Sequence, residues 1–455
     1  MSMHYCSPIG KIRTAVIICC LVLILAVFGY AYISDQDNVV LSKDKIFTKI
    51  DELSGEDLEF AYVSSYIKKY GVGNLNSYKF NEVENMLNDG FYKDLPEKNK
   101  LAEDTVRLFL ENYYDSVDLD NKTEVTDALL KCMMASIADP YAYYRTADEF
   151  TQYNSDLEGG EEFIGIGVSI DSENFEIFAV FNDSGAEAAG IQNSDVIRFV
   201  NGISVEGYSI DDLVSMIKGE EGSTVEITVE RAGKILNFTV ERKAIVSKTV
   251  IYRMLDNQVG YIQITQFLQD TPSLFIEAVD YLEMHGATSL VIDVRNNPGG
   301  LLYAVEEVID YLAPDKDDLM IDSYTTNSGK YICYTTDGHG VDLPIIVLCN
   351  KDTASAGELF TAAMRDFNDA GVLDAVVIGA TTFGKGIVQS SYSLYDNSAI
   401  TFTIGYYNPP CDINFHGVGI VPDIEISKTV GYDEQLSAGI DKALELSAIN
   451  KGAAA

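Results

Sequence analysis

The stretch Asn350–Phe367, NKDTASAGELFTAAMRDF, places Ser355 among small residues at the mouth of an expected helix. A serine there is an N-cap by default, because its hydroxyl can take a free N–H of the first turn. The same free N–H groups, that of Ala356 among them, can instead stabilise a developing oxyanion. The small neighbours Ala354, Ala356 and Gly357 would let a peptide backbone approach. A nucleophile needs a base, and the chain has only His4, His285, His339 and His416. Lys385 is the better candidate. It lies between Gly384 and Gly386 in an apolar segment, with no carboxylate within eight residues on either side. Burial without a counter-ion disfavours the ammonium form, and a neutral amine can accept a serine proton. Lys351 is nearer in sequence, but Asp352 beside it marks a solvated charge. Gln389, four residues after Lys385, can orient the amine by accepting one of its hydrogen bonds. Taken alone, these residues leave a capped helix and a surface lysine as open alternatives.

The elements that must position them are α/β in pattern. From about Val246 to Val430, near-continuous apolar runs such as SLVIDV, LPIIVLC and DAVVIG alternate with helical segments, which predicts a sheet covered on both faces. Three polar or glycine-rich motifs follow those runs: DVRNNPGG (Asp293–Gly300), NKDTASAGE and TTFGKGIVQ. Strand ends on a rigid sheet are where such folds collect reactive groups. Residues 35–157 carry helical spacing, as in Thr123–Ile137, which Asp139-Pro140 stops. A helix-rich arm of this kind suits packing or dimerisation and is compatible with a homodimer or higher homo-oligomer.

Between them, residues 158–245 offer five or six short β-rich runs. One clear helix, SIDDLVSMIKG, is marked by Ser209 with Asp212 as a capping box and Gly219 as its close. A one-turn helix fits SGAEAAG.

At 455 residues the chain exceeds one core and divides into domains. A charge of −38, from 32 basic against 70 acidic residues, repels phosphate backbones and argues against nucleic acid as a partner. Thr14–Ile33, TAVIICCLVLILAVFGYAYI, is a charge-free run long enough to span a bilayer. Lys11 and Arg13 before it and Asp35 and Asp37 after it leave the N-terminus in the cytoplasm. Residues 1–34 thus form a cytoplasmic tail and single-pass membrane anchor, with everything beyond exported. A cleaved signal peptide is the competing reading. Cys132, Cys333, Cys349 and Cys411 are scattered without metal-ligand spacing, and read as mostly buried apolar residues. Residues 431–455 read as a C-terminal tail.

GIGV at the start of the β-rich segment and AGIQNSDVIRFVNGISV in its middle resemble a PDZ domain. That resemblance implies capture of an extended C-terminal peptide, with Gly165, Ile166, Gly167 and Val168 at the carboxylate-binding position. Lys218 stands at the end of the helix, where relatives often carry arginine. With ASIADPYAYYRTADEF (Ala135–Phe150), DVRNNPGG, TASAGE, FGKGIVQ and HGVGIVPD in order, the chain resembles the carboxyl-terminal processing proteases, the tail-specific serine peptidases. The resemblance implies a crotonase-like core without metal or cofactor. It also implies Ser355 as nucleophile, Lys385 as general base, Gln389 as its positioner, and an oxyanion hole from N–H groups near Gly299 or Gly300 with that of Ala356. The expected substrates are proteins or peptides with free C-termini. The Ser355–Lys385 separation is several residues longer than usual, which a surface insertion at NDAGVLD (368–374) accommodates. The rival is a PDZ adaptor with a silent core.

Overall fold

The computed structural model describes residues 75–87, 98–159, 162–170, 174–181, 184–192, 194–246, 248–314, 320–326, 329–336, 338–411, 413–426 and 433–453. The expected membrane anchor lies outside them. Among the described residues no helix is long and apolar enough to cross a membrane.

The chain divides into two compact units, with Pro140 and Tyr141 on either side of the main boundary. The first contains helices α1 (Ser77–Met86), α2 (Lys98–Asn112) and α3 (Lys122–Ser136). Val125, Leu129, Leu130 and Met133 of α3 are buried, as the helical spacing requires. Its cap is Asn121, whose side chain accepts the N–H groups of Thr123 and Glu124.

The second unit opens with β1 (Tyr143–Arg145), a strand inside the region expected to be helical, followed by α4 (Ala147–Glu158). Its first subdomain is β-rich with two helices, as expected. Strands β2 (Glu162–Gly165) and β9 (Lys243–Val246) pair, as do β3 (Val168–Ile170) and β4 (Ile177–Val180). Strands β5 (Val196–Val200), β6 (Ile203–Ser204), β7 (Thr224–Arg231) and β8 (Lys234–Glu241) form a sheet of order β6-β5-β7-β8. Helices α5 (Gly185–Ala189) and α6 (Ile210–Ile217) complete it, and α6 carries the expected Ser209–Asp212 capping box. Gly219 is not a left-handed cap, since α6 ends in extended backbone at Lys218. A Cβ at Gly219 would lie 2.8 Å from Arg242 Nε. Its absence lets that guanidinium reach the Ile217 carbonyl at 2.6 Å.

The core has a six-stranded sheet of order β10-β11-β12-β15-β16-β19 and an antiparallel second sheet of order β1-β18-β13-β14, with β17 also on β18. The strands are β10 (Val250–Met254), β11 (Val259–Ile264), β12 (Ser289–Asp293), β13 (Met320–Thr326), β14 (Tyr331–Thr335), β15 (Ile345–Cys349), β16 (Ala375–Gly379), β17 (Ile387–Ser393), β18 (Ala399–Asn408) and β19 (Ile424–Glu425). Successive side chains of a strand face opposite ways, and both sets here are apolar. Leu290, Ile292, Ile345 and Val347 pack with α7 (Thr271–Met284), α8 (Leu302–Leu312) and α9 (Ala356–Asp369). Val291, Ile346 and Leu348 pack with Ala443 and Leu444 of α10 (Glu434–Ala453). The expected C-terminal tail is therefore a core helix, because Leu436, Ile440, Ala443 and Leu444 line one face. The sequence pattern did not reveal the second sheet. Cys132 and Cys349 are buried and Cys333 and Cys411 exposed, so the apolar reading holds for two of the four.

Candidate active site

Ser355 stands between β15 and α9 at φ 54°, ψ −119°, a conformation that costs a residue with a Cβ roughly 1–3 kcal/mol. An ordinary N-cap is extended and uses its side chain. Here the Ser355 side chain makes no capping bond, and the Glu358 N–H goes to the Ser355 carbonyl at 2.9 Å. The hydroxyl is left for other work.

Glu358 explains how the strain is held. Its side chain is fully buried and its two oxygens accept four donors. Oε2 takes the N–H of Ser355 at 2.9 Å and that of Lys385 at 2.7 Å. Oε1 takes Thr382 Oγ1 and the Gly384 N–H, both at 2.6 Å. A carboxylate has about four lone-pair sites, and all four are used. One buried group thus binds the serine loop to the lysine loop. Lys385 is remote from any carboxylate in sequence, yet its backbone N–H goes to Glu358, far along the chain.

The lysine loop is clamped from outside by HGVGIVPD. Gly417 donates to the Gly384 carbonyl at 2.9 Å, and Asn414 Nδ2 to that of Gly386 at 2.8 Å. His416 donates its N–H to Asn414 Oδ1, and its ring meets Tyr406 edge-on at 5.5 Å. NDAGVLD, where extra residues are expected, ends α9 and turns at the surface, with Gly371 at φ 65°.

Half-buried Lys385 donates from Nζ to Gln389 Oε1 at 2.9 Å. Gln389 follows a register shift between Val388 and Gln389 in the β17–β18 pairing, the kind of irregularity that re-aims a side chain. Two aromatic residues that sequence reasoning missed complete the surroundings. Tyr407 of β18 is buried and donates its hydroxyl to the Lys385 carbonyl at 3.1 Å. Burial first, then the Glu358 charge, hold its phenol well above its ordinary range, and the nearby Ser355 hydroxyl draws it part of the way back. Tyr141 presents its carbonyl to Gln389 Nε2 at 2.7 Å and its ring to Lys385 Nζ at 4.5 Å. It was visible only as part of the ADPYAYY motif.

The NNPGG loop faces Ser355. A Cβ at Gly299, φ 104°, would lie 2.6 Å from Ser355 Cβ, so only glycine fits. The Gly299 N–H is donated to Asn297 Oδ1 at 2.8 Å, while Asn297 O receives the Ala354 N–H at 2.8 Å. Of the two expected glycines, Gly299 therefore supplies space, and Gly300 has its N–H uncommitted to another described backbone or side-chain acceptor. Among the described residues no group of three or more His, Cys, Asp or Glu could hold a metal.

In the β-rich subdomain, a cavity of about 250 Å³ is lined by Phe163, Ile170, Val214, Ile217 and Lys218 together with Gly165, Ile166, Gly167 and Val168. The structure thus brings the four expected peptide-binding residues to one groove between β3 and α6. Gly167 has φ 77°, and a Cβ there would lie 2.3 Å from Ser184 Cβ, so the loop can bend this way only with glycine.

The sequence matches peptidase family S41 over residues 258–426 and a PDZ domain over residues 180–231. It is 33% identical over 342 residues to a probable CtpA-like serine protease of Staphylococcus haemolyticus, covering 74% of this chain and 66% of that one. A protein of the same description from Staphylococcus saprophyticus is 32% identical over 343 residues, covering 74% and 67%. The chain spans about two thirds of the length of these curated relatives. Among solved structures, the photosystem II D1 C-terminal processing protease is similar at 24% identity and a TM-score of 0.44, covering 77% of this chain and 92% of that chain. A putative S41 protease from Bacteroides fragilis is similar at 17% and 0.48, covering 74% and 94%.

Proposed function

The chain belongs to peptidase family S41, and from that premise we propose that it is a serine endopeptidase working through Ser355, Lys385 and Gln389. The neutral Lys385 amine accepts the Ser355 proton as Oγ attacks a peptide carbonyl. The amide N leaves with a proton from the lysine, giving an acyl-enzyme, and water then attacks with Lys385 again as base. The N–H groups of Gly300 and Ala356 face the oxyanion in each step. Gln389 Oε1 holds one amine hydrogen so that the lone pair turns to Ser355. The observation that carries this reading is the Glu358 carboxylate, which ties the strained serine and the lysine loop to a single point.

The PDZ groove captures a free C-terminus, with an apolar last residue among Ile166, Val168, Val214 and Ile217. The rival adaptor reading has no use for a strained Ser355 whose loop is tied through Glu358 to that of an oriented lysine. The charge-free Thr14–Ile33 run supports a membrane-anchored, exported enzyme. Protection of the core from protease added outside intact cells would overturn that placement. Degradation of an unfolded test protein by the chain, compared with Ser355→Ala, tests the activity. Equal rates would remove Ser355 from the chemistry.

A further inference from the structure

We propose that Tyr141 is a positioning residue for the general base, holding Gln389 through its carbonyl and the Lys385 amine through its ring. The inference rests on the reading of Lys385 as the base.

An amide side chain offers an oxygen at one end and donors at the other. As an ammonium Lys385 takes only the oxygen end, but as a free amine its lone pair can accept from the NH₂ end. The Tyr141 carbonyl can only accept, so it takes Nε2 at 2.7 Å. Oε1 is then left facing Nζ at 2.9 Å. Without that carbonyl the two ends of Gln389 would have no fixed sense.

Tyr141 is itself delivered by pairing. Two residues on, β1 runs along β18 with Tyr143 opposite Thr401, and Arg145 Nη1 donates to Thr401 Oγ1 at 2.8 Å. The Arg145 guanidinium also stacks on the Tyr153 ring at 3.9 Å, fastening α4 to the same strand. A short strand that pairs with the sheet bearing Gln389 and Tyr407 thus brings a residue from the far N-terminal side to the base.

The ring has a separate effect. Its centroid lies 4.5 Å from Nζ, inside the ~6 Å range in which an aromatic face attracts a cation. That attraction favours the ammonium over the free amine, so it raises the pH at which Lys385 becomes a base. Glu358 on its N–H and Tyr407 on its carbonyl are titratable groups that also meet Lys385. Neither changes when residue 141 is altered.

The test uses the full chain and follows two rates against pH, cleavage of an unfolded protein and phosphonylation of Ser355 by a fluorophosphonate, which releases fluoride. Tyr141→Leu should move the acidic limb of both profiles down by roughly half to one pH unit. It should also lower the plateau roughly tenfold as the amine loses its aim. Tyr141→Phe keeps ring and carbonyl and should restore the wild-type limb. Phenylalanines of increasing fluorination at position 141 keep the shape but weaken the ring's negative face, and should lower the limb stepwise. They decide the matter if the leucine variant does not fold. An unmoved limb in the folded leucine variant, or across the fluorinated series, overturns the role of the ring. Activity in Ser355→Ala would instead bring down the reading on which it rests.

Discussion

In the catalytic cleft nearly every positioning interaction is a hydrogen bond between groups withdrawn from water, with the four donors on Glu358 at its centre. In the PDZ groove the walls are apolar, a glycine-bent loop shapes one end, and among the described residues of the lining Lys218 alone is charged. The contrast fits the tasks we propose for the two regions. Proton transfer fails when a side chain strays by an ångström, so the cleft is over-determined. Capture of a chain end needs a slot and backbone donors, and tolerates variation in the ligand.

Breaking the cleft should therefore cost most. Ser355→Ala and Lys385→Ala should each lower kcat by about 10⁴-fold or more, and the double variant no further, because the two act as one unit. Lys385→Arg should fail equally, since a guanidinium stays protonated. His416→Ala, checked for folding, should stay within about tenfold of wild type, because its ring is engaged with Tyr406 rather than with Ser355. A folded, active Lys385→Ala beside a folded, inactive His416→Ala would replace the lysine mechanism with a histidine one. Wild-type activity should rise from acidic toward alkaline pH as the amine loses its proton.

Second in size is the lattice. Glu358→Gln keeps the volume but points an NH₂ at groups that are themselves donors. We expect kcat to fall about 10²–10³-fold with a lower melting temperature, since buried donors left without an acceptor cost about 1–3 kcal/mol each. An unchanged kcat would separate the strain at Ser355 from its function.

These two experiments fall on different sides of what the sequence made legible. Ser355, Lys385 and Gln389 stood out because a lone lysine between glycines in an apolar segment is chemically odd. Glu358 was in view inside TASAGE, but S-x-x-E also spells a helix cap, and only the backbone angles distinguish the two. Tyr407 gave no signal, because a tyrosine in an apolar strand looks like core. The β1–β18 pairing joins segments hundreds of residues apart through a three-residue strand, too short to show alternation. Helix α10 was hidden differently. Its apolar face was present, but a C-terminal position suggested a tail.

The groove comes third. Val214→Arg should weaken binding of peptides with a free, apolar C-terminus by about tenfold or more, measured by calorimetry, and C-terminal amidation should do the same in the wild type. Cleavage of a short ester that does not reach the groove should be unaffected by the substitution. Equal affinity for free-acid and amidated peptides would mean that the groove reads side chains alone.

The smallest effect compares how the two regions bury acid. In the PDZ subdomain Asp195 is buried against Arg231, which forks onto both of its oxygens at 2.6 and 2.7 Å. In the core, Glu306 of α8 and Asp322 of β13 are buried against each other, and burial, then mutual repulsion, lifts Glu306 to about 8. Burial likewise raises Asp322 well above the carboxylate range. The signs follow. The folded core keeps a proton that the unfolded chain has released above its ordinary carboxylate range, so stability falls as pH rises through that range toward about 8. Glu306→Gln removes one titrating group and should flatten the fall, with a gain that is negligible near pH 4 and grows to neutrality. At about 1.4 kcal/mol per pH unit per proton the gain is measurable by hydrogen exchange at the β13 amides, which reports local opening of the core. Asp195→Asn should do the reverse at neutral pH, loosening β5 and β7 by about 1–3 kcal/mol because Arg231 loses its charged partner. If Glu306→Gln leaves the pH slope at β13 unchanged, the core's acids are not sharing a proton, and the two regions bury charge alike.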